Sequence, residues 1–170
     1  MTVQLAPTKL RPPHSATMRA VLGRFRTGIT VITGHDGQSP LGFTCQPVTS
    51  ASLDPPYVSF CPARTSSIWP QIRSVGRLCI NVLATDQWDV CTAFVDSLGK
   101  KFAENAWTRG SNGAPALDGA IAVIEADFEF EYSTGDHTVV VTHVTGLRAR
   151  EGSPRPLRFY RGGFGEFDER

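Results

Sequence analysis

Residues 122–132, AVIEADFEFEY, constrain the fold of this chain more than any other stretch. Ala122, Ile124, Ala126, Phe128, Phe130 and Tyr132 fall on one side of an extended chain, and Glu125, Asp127, Glu129 and Glu131 on the other. A period of two is the period of a strand, so the pattern predicts a long antiparallel strand with one face buried and one in water. Ser133-Thr134-Gly135-Asp136 is a turn, and His137 to Thr145 is the partner strand. On this reading the acidic row is a solvated sheet face and not a metal site.

The remaining segments add more strands than helices. Residues 1–14 hold Pro7, Pro12 and Pro13 without apolar periodicity and read as a disordered or draped tail; residues 15–170 read as one domain. From the N-cap candidate Ser15, Met18, Val21, Leu22 and Phe25 recur at helical spacing, and Gly28 is the stop. Ile29 to Thr33 and the run from Leu41 flank the turn His35-Asp36-Gly37. A helix is predicted after Ser67 with Ile68, Trp69, Ile72 and Val75 on one face and Gly76 at its end. Leu78 to Leu83 is an apolar buried strand, and Asp86 is a cap for a helix with Cys91, Phe94 and Leu98 inward. Residues 99–119 read as loop, and Leu157 to Tyr160 as a last strand. The fold class expected is mainly β with flanking helices, built as a small antiparallel barrel.

Charge and composition remove several functions. With 17 basic and 16 acidic side chains among 170 residues, no field attracts a polyanion, so nucleic acid is not an expected partner. No apolar run approaches the ~20 residues that cross a bilayer, and the N-terminus lacks a signal-peptide core, so a cytoplasmic protein without a membrane is expected. Cys45, Cys61, Cys79 and Cys91 are far apart with no C-x-x-C pair, which reads as buried free thiols with no metal. No G-x-G-x-x-G follows a strand, so a Rossmann site is not expected.

Residues 41–69, LGFTCQPVTSASLDPPYVSFCPARTSSIW, hold the chemistry. They read as a long strand rich in small hydroxyls, then an apolar strand running through Cys61 and Pro62 to Thr65, Ser66 and Ser67 at a helix start. Free amides and short hydroxyls at such a junction suit an anion. On local grounds alone plain helix capping is the favoured reading of Ser66 and Ser67, an order that the family resemblance of the surrounding residues reverses.

Taken together, these residues resemble the short-chain flavin reductase family, the reductase partners of two-component flavin-dependent monooxygenases. The resemblance runs from about Met18 to Phe164. It is carried in order by Thr27-Gly28-Ile29-Thr30-Val31-Ile32-Thr33, Gly42-Phe43-Thr44-Cys45-Gln46, Ser52-Leu53-Asp54-Pro55-Pro56, Phe60-Cys61-Pro62, Ser66 to Trp69, Leu78 to Leu83, Lys101-Phe102-Ala103, Gly135-Asp136-His137 and Phe159-Tyr160-Arg161-Gly162. It implies an FMN-binding antiparallel split β-barrel, a homodimer, hydride transfer from NADH or NADPH to FMN or FAD, and delivery of reduced flavin to an oxygenase. It also implies that Thr44, Cys45, Gln46 and Pro47 run beside the flavin ring, with Cys61, Pro62 and Ala63 continuing that wall. Ser66 and Ser67 meet the phosphate, with Lys101, followed by Phe102, as counter-charge. His137 is the catalytic-site residue for the nicotinamide, and Tyr160 and Arg161 close the pocket. Pro47 stands where similar members have serine. Two other readings stay open: a flavin-binding electron carrier or regulatory flavoprotein on the same fold, and a β-barrel interaction module without flavin.

Overall fold

The computed structural model describes residues 15–22, 27–95, 101–152, 154–160 and 163–165. Residues 1–14, the helix position Phe25, the helix position Leu98 and Arg161 lie outside them. Three helices are described, α1 (Ser15–Leu22), α2 (Trp69–Val75) and α3 (Trp88–Val95).

The main sheet has seven strands: β2 (Thr30–His35), β3 (Pro40–Cys45), β4 (Val48–Leu53), β5 (Pro56–Phe60), β6 (Arg77–Val82), β9 (Ala122–Thr134) and β10 (His137–Ala149). Their order is β3-β2-β6-β9-β10-β5-β4, and each neighbouring pair is antiparallel. Between them run a two-stranded hairpin, β7 (Trp107–Arg109) and β8 (Pro115–Leu117), and a small sheet of β1 (Thr27–Gly28), β11 (Arg158–Tyr160) and β12 (Gly163–Gly165). The stretch expected as loop, 99–119, therefore contains the β7–β8 hairpin, whose three-residue strands are too short to show a period.

The two edge strands of the sheet, β3 and β4, are consecutive in the chain. Only Gln46 and Pro47 separate them, across a cis peptide bond. Three Cα steps reach at most ~10 Å, so the sheet must curl until its opposite edges approach at that point. The single long strand expected from Leu41 onward is thus two strands on opposite edges, because proline cannot continue a ladder.

The predicted alternation of β9 changes phase partway along. Phe128 pairs with Thr142 and Phe130 with Val141, which leaves Glu129 as an extra residue. One extra residue turns all later side chains over. Before it, Ala126 and Phe128 face the core formed by Ile32, Phe60, Trp69, Ile72, Ile80 and Val140. After it, Glu131 takes the core-side position and receives Trp69 Nε1–H at 2.9 Å and the Arg73 guanidinium at 2.5 Å. Phe130 and Tyr132 point the other way and are 41% and 65% exposed. The expectation that these two aromatics share the buried face with Ala122–Phe128, and that the acids form one solvated row, is corrected by this bulge. Glu125 is also engaged, accepting from the Ser111 hydroxyl and from the Ser111 and Asn112 amides.

The other face of β2, β6 and the first half of β9 is covered by the β7–β8 hairpin, so Cys79 and Val123 are buried against Ala114 and Ala116. Asn81 fastens this cover: its Nδ2 donates to Val31 O and Thr33 Oγ1, and its Oδ1 accepts from Leu117 N. Gly76, at φ 78°, ends α2 as expected, a conformation that glycine adopts without strain. Helix α3 starts at Trp88 rather than at an Asp86 cap; Gln87 sits before it and binds Ala84 N through its side chain. On α1, Met18, Val21 and Leu22 have the predicted spacing but are 45–55% exposed, so the described residues do not bury that face.

Candidate functional site

The seam lies where the Cys45 end of β3, the loop 61–67 and the tip of the β9–β10 hairpin come together. Val48 pairs with Phe60 across β4 and β5, which sets Pro47 beside Cys61. The Cys45 side chain is buried, and burial pushes its thiol up to about 12 although the Cys61 backbone amide lies against it. Burial also raises the Cys61 thiol. Neither is therefore a thiolate nucleophile near neutral pH.

The loop is stitched to the hairpin tip by backbone hydrogen bonds. Thr138 N donates to Pro62 O at 3.0 Å, Arg64 N donates to Asp136 O at 2.9 Å, and Ala63 forms a β-bridge with His137. His137 is half exposed, and its Nδ1 is 2.9 Å from Asp136 Oδ1. That contact places the proton on Nδ1 and leaves Nε2 as an acceptor in the neutral ring.

On the β3 side, the Thr44 hydroxyl donates to Cys91 O at 2.9 Å, and Thr27 Oγ1 donates to Gln46 Oε1 at 3.3 Å. Gln46 Nε2 is the amide end left to donate to a ligand. Lys101 Nζ donates to Gly42 O at 3.0 Å, two residues before Thr44. Phe102 is a packing residue, edge-on to Phe94 at 5.0 Å and to Trp107 at 6.0 Å. A side chain at Gly42 would drive a Cβ to 2.7 Å from Phe94, so only glycine fits beneath this pair.

Ser66 Oγ accepts from Trp69 N, the first amide of α2, at 3.1 Å, from two residues before the N-cap, which is Ile68 and makes no side-chain capping bond; Ser67 is exposed and accepts from Gln71 Nε2 only through its carbonyl. The cation of this loop is Arg64, whose Nη1 donates to Gly135 O at 3.3 Å. Sequence reading passed over it, since an arginine between two wall segments has no periodicity to mark it. Tyr160 ends β11, paired with Gly163 of β12. The structure thus brings Thr44–Pro47, Cys61–Ala63, Ser66, Ser67 and His137 to one seam and adds Arg64 and Asp136.

A flavin asks for amide and hydroxyl partners along a planar polar edge, and for a cation by its phosphate. Gln46, the exposed Ser67 hydroxyl and Arg64 supply these, and the one carboxylate at the tip, Asp136, is already paired with His137. The residues present fit the group.

The model of the flavin reductase like domain matches residues 22–168. This chain belongs to the flavin reductase-like family. It is 44% identical over 145 residues to reductase subunit HsaB of a flavin-dependent monooxygenase from Rhodococcus jostii, covering 85% of this chain and 73% of that one. It is 36% identical over 154 residues to the FMN reductase (NADH) SmoA of Agrobacterium fabrum, covering 91% and 87%. Among solved structures, an NADH:FAD oxidoreductase of Streptomyces globisporus, in complex with NAD and FAD fragments, superposes with a TM-score of 0.87 at 29% identity, covering 95% and 98%.

Proposed function

We propose that this member of the flavin reductase-like family is an NAD(P)H:flavin oxidoreductase that reduces FMN or FAD and passes the reduced flavin to a separate oxygenase. The observation that carries the reading is the hairpin tip fastened to the loop 61–67, which sets a histidine of fixed tautomer beside a cation and an exposed hydroxyl.

Flavin bound in the seam supplies the hydride acceptor, and the nicotinamide supplies the hydride. Both reacting atoms belong to cofactors, so the protein's share is orientation, electrostatics and exclusion of water. Gln46 Nε2 would donate to the polar edge of the ring, and the main chain of Thr44–Pro47 and Cys61–Ala63 would flank it. Arg64 and Ser67 would hold the phosphate, assisted by Ser66, with Lys101, which is bonded to Gly42 O on β3, as a more distant counter-charge. His137, held by Asp136, offers Nε2 to the amide hydrogens of the nicotinamide carboxamide.

The curled sheet with consecutive edge strands supports a split barrel, and the bare aromatic face of Phe130 and Tyr132 supports a homodimer. The rings of that pair lie 5.5 Å apart, edge to face, with Val139 and Val141 opposite them on β10. Among the described residues no helix is long and apolar enough to cross a membrane; we place the protein in the cytoplasm, where the nicotinamide pool is.

The test is NADH oxidation with FMN or FAD in excess. Sustained turnover fits the reductase; tightly held flavin with negligible NADH consumption fits an electron carrier instead. In His137→Ala, KM for NADH should rise about tenfold, the loss of one hydrogen bond of ~1.4 kcal/mol, while FMN affinity stays unchanged. Equal loss of both would remove His137 from the nicotinamide side.

A further inference from the structure

At the turn between β2 and β3, His35 meets a donor at each ring nitrogen. Gly37 N–H donates to Nδ1 at 3.0 Å, and Arg109 Nη2 stands 3.3 Å from Nε2. A neutral imidazole has one acceptor nitrogen and one N–H, and a guanidinium is a permanent donor with no acceptor. If Nδ1 accepts from Gly37, Nε2–H faces another N–H. The opposite tautomer moves the mismatch to Gly37, and the imidazolium has it at both nitrogens. No protonation state of His35 satisfies both neighbours. An acceptor within reach of Nε2–H and the guanidinium together would satisfy both at once.

That position opens on a cavity of about 240 Å³ lined by His35, Gly37, Arg77, Arg109, Asn112 and Gly113, with no carboxylate in the lining. Trp107, 6.4 Å from the His35 ring and tilted by 51°, is its ring neighbour on β7. Two carboxylates lie close by. Asp36 is turned into its own loop, where Oδ1 accepts from Gln38 N and Ser39 N at 2.8 and 2.7 Å. Asp127 is opposite Arg77 in the β6–β9 register, yet no ion pair joins them among the described residues. Two permanent cations and an N–H donor therefore border a space whose lining holds no carboxylate, with Asp36 close enough to His35 to feel its charge but bonded to its own loop.

We propose that this cavity binds a small oxyanion of the phosphate or sulfate class. The anion accepts from His35 Nε2–H and the Arg109 fork, and Arg77 neutralises it. The site sits at the Pro40 end of β3, about 17 Å along the strand from Cys45, so it is separate from the flavin seam and stands or falls independently of it. The oxyanion is either a free inorganic ion or the phosphoryl group of a nucleotide.

The experiment uses the full chain saturated with FMN, with sodium phosphate or AMP titrated against sodium chloride at matched ionic strength. Phosphate at tenfold over its dissociation constant should raise the thermal midpoint by about 4 °C, and Arg77→Gln/Arg109→Gln should abolish the rise. In the unsubstituted protein the His35 ring resonances should move with phosphate and not with chloride, a readout that needs no variant. An AMP effect at lower concentration than phosphate, lost in the same variant, assigns a nucleotide phosphoryl group; the reverse order assigns the inorganic ion. Equal midpoint shifts in both proteins, or His35 resonances that phosphate leaves in place, overturn the proposal.

Discussion

The two halves of β9 are built from the same kind of sequence and do different things. From Ala122 to Asp127 the strand is flanked by β6 and β10 and covered on both faces, by the main core on one side and by the β7–β8 hairpin on the other. From Phe128 to Thr134 it has left β6 behind, pairs only with β10, and turns two aromatic rings to the solvent. The first half is paired on both edges; the second half carries the tip that meets the loop 61–67. A sheet that is closed at one end and open at the other separates scaffold from site on a single strand, so substitutions in the two halves should fail in different ways.

The largest effect expected is on stability in the closed half. Asn81→Leu leaves Leu117 N–H and Thr33 without their buried partner and should cost ~3 kcal/mol, read by urea unfolding; a loss under ~1 kcal/mol would mean the hairpin is not fastened there. In the open half, Tyr132→Glu should leave folding intact and weaken self-association about 30-fold, ~2 kcal/mol for a central aromatic, checked by sedimentation. Unchanged association would free that face from the dimer reading.

Arg64→Gln, also at the open end, should reduce FMN affinity about tenfold, as expected for one charge-assisted contact, with a thermal midpoint like that of the unsubstituted protein. A drop in midpoint without loss of affinity would make Arg64 a structural residue. The smallest effect belongs to Glu125 in the closed half. Burial works against its charge, but the Ser111 hydroxyl, the Ser111 and Asn112 amides and Arg148 outweigh it and hold the carboxyl below its usual range. A depressed carboxylate stabilises the fold above its unfolded value and loses that contribution as pH falls through the folded one. Glu125→Gln should thus cost about 1 kcal/mol at neutral pH, with the difference from the unsubstituted protein fading as pH falls through the depressed folded value; a pH-independent difference would assign the effect to packing.

Much of the architecture was legible because it rests on local pattern. The helix ended by Gly76, the strand of Leu78–Leu83 and the hairpin around Gly135 follow from period and turn chemistry, and the family motifs mark the seam. The rest depends on distant partners. Nothing in FEFEY distinguishes an unbroken strand from one with Glu129 bulged out, because the bulge exists only relative to Val141 and Thr142 on β10. Pro47 signals a break, but not that the chain crosses there from one sheet edge to the other. Arg64 becomes a site residue only through Gly135 and Asp136, some seventy positions away.

The extra residue at Glu129 makes length matter more than identity in this part of the chain. Removing Glu129 itself would leave an unbroken ladder, with Phe128 still opposite Thr142 and Phe130 still opposite Val141, so Phe130 and Tyr132 would stay outward and Glu131 inward; removing one residue beyond it, with the bulge kept, would make inside and outside trade places up to the turn. Along those few positions the chain should tolerate many replacements, and among single deletions that of Glu129 alone.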